Sequence, residues 1–169
     1  MTTLQDVAKL KEVLLYVLRA TADKPNVGET VLHKLLYFMD FDYYEIHEEY
    51  FLGGQYKKNH FGPTMVNLDE VLHEMVVNNE VEHWIEPRGS YEQRCFRSLR
   101  DPNMDQLSAD DIAHIDWTLD RFSDMNATTI SHYSHSDYPW IIANDGDILD
   151  YRDARYRNED TSVAEYDEL

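Results

Sequence analysis

The chain has 169 residues, of which 43% are hydrophobic, and this is enough for one domain with a buried core. Its 15 Lys and Arg are outnumbered by 33 Asp and Glu, so the net charge is −18 and the bulk surface is expected to repel nucleic acids. The single cysteine, Cys95, excludes a disulfide framework and a cysteine-built zinc site.

The first predicted element is a helix over Leu4–Ala20, in which apolar residues recur at helical spacing. Its longest apolar run, Val13–Leu18, is too short to span a bilayer. The residues before it lack the charge and apolar pattern of a signal peptide. We therefore expect a cytoplasmic protein that does not contact a membrane.

The strongest helical pattern covers Glu29–Tyr50. Aliphatic and aromatic side chains surround almost its whole circumference, which is typical of a buried central helix. Asp40 lies within this apolar surface, where a carboxylate must be paired or hydrogen-bonded. We interpret it as a structural anchor bonded to Lys34 or to a tyrosine. A catalytic or recognition carboxylate is the alternative.

Shorter elements follow. Residues 55–60 are predicted to be extended, residues 61–63 to form a turn, and Pro63 to open a helix that reaches Asn78. Two further strands, near 81–86 and 93–99, flank turn residues and predict a hairpin. Together these segments predict one small antiparallel sheet beside a helical core. The expected fold class is α+β, mainly α.

The next helix begins with a clear N-terminal signal at Ser108, and a short helix is predicted over Thr128–Ser134. His132 and His135 lie three residues apart and would share a helix face, where Asp137 could join them in a metal site. The spacing matches no complete metal motif. We favour a structural role, in which His135 bonds to backbone and Trp140 packs beside it.

The chain changes character after residue 144. We divide it into a domain over 1–144 and an acidic C-terminal tail over 145–169 that also carries tyrosines. The tail either stays solvated or binds a basic partner, and a deletion after about Asn144 is expected to leave the domain folded. The candidate partner contacts are Tyr151, Asp153, Tyr156 and Tyr166.

Recognisable catalytic patterns are missing from the sequence. Gly53 and Gly54 lack the lysine and hydroxyl residue of a phosphate-binding loop, and no nucleophile elbow occurs. Cys95 has no basic neighbour that would activate its thiol. These observations favour a binding protein without catalysis and without a cofactor.

Three segments together resemble the Panacea domain family, also called SocA-like antitoxins. Residues 32–44 are similar to its "KLLYFADF" helix, Tyr56 with residues 61–63 to its "Y…yGP" segment, and residues 131–140 to its C-terminal Ser/Thr-His and Trp motif. Their order and spacing agree over about residues 5–142. The matching positions are Lys34, Tyr37, Asp40, Gly62, Pro63, His135 and Trp140.

The resemblance implies an antitoxin encoded beside a toxin, often on a prophage, that neutralises the toxin by direct contact. The partner expected from it is a cognate toxin with a basic substrate-binding surface, and neither nucleic acid nor membrane. The family has no established catalytic residues, so none is assigned. The alternatives are a proteolytic adaptor that delivers the toxin for degradation, a metal-dependent enzyme using Asp40, His132 and His135, or a structural phage component.

Overall fold

Helix α2, Glu29–His47, lies at the centre of the fold. The computed structural model describes residues 5–165. The other helices are α1 (Val7–Ala20), α3 (Leu68–Val77), α4 (Ala109–Phe122), α5 (Ala127–Ser134) and α6 (Tyr138–Ile142). The strands are β1 (Tyr56–Asn59), β2 (Gly62–Met65), β3 (Val81–Arg88) and β4 (Tyr91–Ser98), and the 3₁₀ helices are Met104–Gln106 and Tyr151–Tyr156. The α+β, mainly α class is confirmed.

The apolar sequence of α2 explains its position. Every residue from Val31 to Asp42 is buried, and the helix packs against α4, α5, β2 and the second 3₁₀ helix. The helix ends at His47, because Glu48 adopts a left-handed conformation with φ of 55°. None of the helices within residues 5–165 is long and apolar enough to cross a membrane.

The strands form two separate hairpins and not one sheet. Among the strands, β1 pairs with β2 and β3 with β4, both antiparallel, and an isolated bridge joins Lys57 of β1 to Ile148. Pro63 lies in β2, where a two-stranded hairpin tolerates a proline, so the prediction that it opens a helix is wrong. The following helix, α3, begins at Leu68 instead. The hairpin predicted around residues 87–90 is confirmed.

The predicted N-terminus of α4 is also confirmed. The Ser108 hydroxyl accepts a hydrogen bond from the Asp111 N–H, and the Asp111 carboxylate accepts one from the Ser108 N–H, both at 3.0 Å. This reciprocal capping box satisfies two backbone donors that the helix itself leaves unpaired.

Residues 145–165 pack against the same core as the rest of the chain. Leu149, Tyr151 and Ala154 are buried, and the Leu149 N–H donates to the Tyr56 carbonyl at 2.8 Å. Arg157 then inserts a fully buried guanidinium among the carboxylates of Asp42, Glu45 and Asp137. The described part of the predicted tail therefore contributes to the core.

Arg157 makes four hydrogen bonds to three buried carboxylates. Its guanidinium donates to Asp137 at 2.8 and 2.9 Å, to Asp42 at 2.7 Å and to Glu45 at 3.1 Å. The side chains of Arg157 and of its three carboxylate partners are inaccessible to solvent. Arg121, which is partly exposed, binds Asp42 from the edge of this cluster at 2.7 Å. A buried charge cluster of this kind is stable only while every member keeps its partners.

Loss of Arg157 should therefore destabilise the fold. Arg157→Met is expected to lower the free energy of unfolding by about 3–5 kcal/mol, because three buried carboxylates lose their common partner. Urea denaturation followed by circular dichroism measures this. Arg152, an exposed arginine that pairs with Asp150, is the matched control, and Arg152→Met should change stability little.

A deletion after Asn144 removes Arg157, so we expect it to lower the free energy of unfolding at least as much as Arg157→Met does. Sequence alone predicts instead that the domain stays folded without these residues. A truncated chain that unfolds cooperatively with wild-type stability would show that the Arg157 cluster is dispensable.

Candidate functional site

The three segments singled out by the sequence meet where β2 approaches α2 and α5. Gly62 has a φ of 108°, and an added Cβ would lie 2.7 Å from Lys34 Cε and 2.3 Å from Ser134 Oγ. A side chain at this position would therefore strain the backbone and clash with both helices. Gly62 lets Lys34 and the end of α5 lie close together.

A surface groove borders this junction. Its larger lobe, about 490 Å³, is lined by residues of α5 together with Tyr91, and its smaller lobe, about 400 Å³, by residues of α2 and β1. Thr30, His60 and Phe61 line both lobes. We call this feature, from Lys34 at one end to His132 and His135 at the other, the α2–α5 groove.

Lys34 lies at the base of the smaller lobe. Its side chain is only 1% exposed, and within residues 5–165 no carboxylate or other acceptor lies within hydrogen-bond distance of its ammonium group. Burial lowers the pKa of Lys34 to about 8. Lys34 is thus a buried cation without a counter-charge.

His135 and Trp140 occupy the other side of the junction. Their rings stack at 4.4 Å, and the Trp140 indole N–H donates to the Asn59 carbonyl at 3.2 Å, which confirms that Trp140 packs beside His135. His135 hydrogen-bonds to the His60 backbone as predicted, whereas its Nε2 is buried and has no hydrogen-bond partner in the described part of the chain. Burial lowers the pKa of this imidazole.

Asp40 lies elsewhere, at the base of the loop that follows α2. Its carboxylate accepts hydrogen bonds from the N–H groups of Leu52, Gly53 and Gly54, at 2.6, 3.1 and 3.2 Å. The Tyr56 hydroxyl donates a fourth at 2.7 Å. Asp40 is fully buried, and desolvation raises its pKa despite these donors. Of the two partners predicted for Asp40, a tyrosine or Lys34, the structure shows the tyrosine, Tyr56.

Tyr37 and Asp137 are used inside the fold as well. The Tyr37 hydroxyl donates to Asp137 at 2.6 Å, and the same carboxylate binds Arg157. Burial raises the pKa of Tyr37 well above its ordinary value. Asp137 therefore faces the core cluster, whereas His132 and His135 line the groove.

The structure does not bring Asp40, His132 and His135 together as metal ligands. Among residues 5–165, one group of potential ligand atoms lies within 4.8 Å of one another, and it consists of Glu29, His33 and Asp69. Arg94 donates to Glu29 at 3.0 Å and to Asp69 at 3.1 Å, so a guanidinium already supplies the positive charge between these carboxylates.

The four candidate partner contacts differ in their accessibility. Tyr151 is buried, and its hydroxyl donates to the Gly54 carbonyl at 2.5 Å. Asp153 is half-buried, whereas Tyr156 is 71% exposed. Tyr166 lies outside the described residues. Tyr156 is thus the most accessible of the three that the structure describes.

Sequence reasoning did not identify the residues that complete the groove, namely Thr30, His60, Phe61 and Tyr91. These come from α2, the β1–β2 turn and β4, and they share no common motif. The one available signal is position, because His60 and Phe61 directly precede the Gly62-Pro63 pair.

The comparison with known protein families gives one match. The family model described as Antitoxin SocA-like, Panacea domain matches residues 32–141 of the chain. The matched segment begins in α2 and ends in α6, so it contains the whole junction around Gly62. No curated protein and no solved structure significantly matches the chain.

Removal of the Asp40 carboxylate should weaken the fold. Asp40→Ala is expected to lower the free energy of unfolding by about 1–3 kcal/mol, because three N–H groups and one hydroxyl lose their acceptor. Urea denaturation provides the measurement, and Tyr56→Phe, which removes one donor only, should cost less. If Asp40→Ala unfolds like wild type but no longer binds its partner, Asp40 is a contact residue and not an anchor.

Lys34 should make stability depend on alkaline pH. The pKa is about 8 in the folded state and 10.5 for an ordinary lysine, so the folded chain releases this proton first as pH rises. The unfolded chain then binds more protons, and the Lys34 contribution to the free energy of unfolding rises by about 3 kcal/mol between the two pKa values.

Denaturation of wild type and Lys34→Met from pH 7 to 10.5 tests this. Lys34→Met should be the more stable protein at pH 7, and the difference should shrink as pH rises. Lys57→Met, at an exposed position of β1, is the control. A difference between wild type and Lys34→Met that stays constant over this range would contradict the buried, unpaired ammonium.

Proposed function

The chain belongs to the Antitoxin SocA-like, Panacea domain family, and we propose that it is an antitoxin that neutralises a cognate toxin by direct protein–protein binding. The family match over residues 32–141 is the observation that supports this most directly. In this proposal the protein acts stoichiometrically, and no catalytic step is required for protection.

The use of the buried carboxylates supports binding over catalysis. Asp40 accepts four hydrogen bonds, and Asp137 binds Tyr37 and Arg157. A general base needs an accessible oxygen within reach of its substrate. Neither carboxylate has an accessible oxygen. In this proposal Asp40 and Asp137, which are catalytic or metal-binding candidates by sequence, stabilise the fold.

We place the toxin on the surface formed by α6 and the second 3₁₀ helix, which we call the acidic face. Ile141, Ile142 and Tyr156 are 50%, 54% and 71% exposed there. The two helices pack together, with the rings of Tyr138 and Tyr156 6.4 Å apart. An accessible apolar centre of this kind is typical of a protein-binding surface.

Charge indicates what the acidic face would bind. The exposed Asp145 and Asp147 lie in the loop that joins the two helices, and Asp150 and Asp153 lie at the start of the 3₁₀ helix and within it. These four acids outnumber the exposed Arg152 and Arg155 of the same segment. Toxins that act on RNA or nucleotides need a basic surface to hold phosphates. An acidic face with an exposed tyrosine is complementary to such a surface, and complementary charge speeds association.

Co-expression with the toxin encoded beside it tests the proposal. Growth should be restored, the two proteins should co-elute from a sizing column, and toxin abundance should stay unchanged. A fall in toxin abundance that depends on a host protease would instead show the proteolytic adaptor. Persistent toxicity with no complex would reject neutralisation altogether.

Tyr156→Ala tests where the toxin binds. Loss of an exposed aromatic contact is expected to weaken the complex about tenfold or more, and the wild-type affinity should fall as salt rises. Tyr91→Ala is the matched control, because Tyr91 is 53% exposed and lies on the β3–β4 hairpin. If Tyr91→Ala weakens binding and Tyr156→Ala does not, the toxin binds on the groove side.

A further inference from the structure

Two side chains with buried nitrogen atoms border the α2–α5 groove. Lys34 has a buried ammonium group without a counter-charge, and His135 has a buried Nε2 without a hydrogen-bond partner among residues 5–165. Desolvation lowers the pKa of His135, and the nearby charges of His132 and Lys34 lower it further. An acceptor placed in the groove would stabilise the Lys34 ammonium group.

The groove differs in charge from the rest of the molecule. Four of the eight histidines in the chain line it, namely His33, His60, His132 and His135. Among the described residues that line it, the acidic one is Glu29, which pairs with Arg94 and has a pKa lowered to about 2. In a chain with a net charge of −18, this is a local region that can accept an anion.

The walls of the larger lobe are apolar and aromatic. Phe61 is 66% exposed and Tyr91 53% exposed, and Ala127 at the start of α5 also lines the lobe. A cavity of about 490 Å³ is in the range of small-molecule sites, which combine apolar walls with a few polar groups. The groove therefore offers aromatic surface at one end and a buried cation at the other.

We propose that the α2–α5 groove binds a small aromatic anion, whose carboxylate or phosphate accepts a hydrogen bond from Lys34 Nζ and whose ring packs against Phe61 and Tyr91. The ligand oxyanion supplies the counter-charge that the fold does not give Lys34. This site is separate from the acidic face and does not depend on which toxin binds there.

Titration of the full chain with benzoate and with phenyl phosphate tests the site, with histidine side-chain resonances and calorimetry as readouts. At least one of the two should bind saturably in the millimolar range or tighter and shift the His135 and His132 resonances. Benzyl alcohol, which lacks the charge, and inorganic phosphate, which lacks the ring, should bind more weakly. The stronger of the two aromatic anions identifies the oxyanion class.

Lys34→Met should weaken binding of the preferred anion about tenfold or more, because the side chain keeps its length and loses its charge. Phe61→Ala, at an exposed position, should also weaken it without changing stability, and Tyr156→Ala on the acidic face should leave it unchanged. The proposal is overturned if neither aromatic anion binds wild type saturably, or if affinity survives both Lys34→Met and Phe61→Ala.

Discussion

The guanidinium of Arg157 connects parts of the chain that are far apart in sequence. It binds Asp42 and Glu45 on α2 and Asp137 just before α6, while Arg121 of α4 contributes a second cation to Asp42. Removing such charges from water is costly, and the cost is offset only where every oxygen finds a donor. Ser162 and the Val163 N–H complete this requirement at Glu45. The positions of α2, α6 and the C-terminal segment therefore depend on one another.

Two buried charges of α2 have opposite surroundings, and helix geometry explains why they do not pair. Lys34 and Asp40 are six residues apart, which places them about 9 Å apart along the axis and on different sides of the helix. Asp40 faces the loop over Leu52–Gly54 and receives four donors. Lys34 faces Gly62 and the groove, and none of the described residues provides an acceptor for it. Two positions of the same helical motif therefore have different roles: Asp40 stabilises the fold, whereas Lys34 borders a surface groove.

Sequence reasoning succeeded where the signal was local. The apolar circumference of α2, the capping box at Ser108 and the need for a donor to Asp40 all follow from residues close in sequence or from a single buried charge. It failed at Pro63, because a proline preceded by a turn suits either a helix start or an edge strand. It also placed residues after 144 outside the core, since a polar, acidic composition does not reveal that Arg157 pairs with Asp42.

The same limit applies to charge as a guide to partners. Net charge counts every acid equally, yet Asp42, Glu45 and Asp137 are buried with Arg157 and present no charge to a partner. Similarly, the histidines of the groove count as neutral in the total of −18, although together with Lys34 they line a groove in which, among the described residues, Glu29 is the one acid. Composition therefore predicts, for the surface as a whole, the sign of the charge that a partner should carry. Where that partner binds depends on which charges the fold has already neutralised.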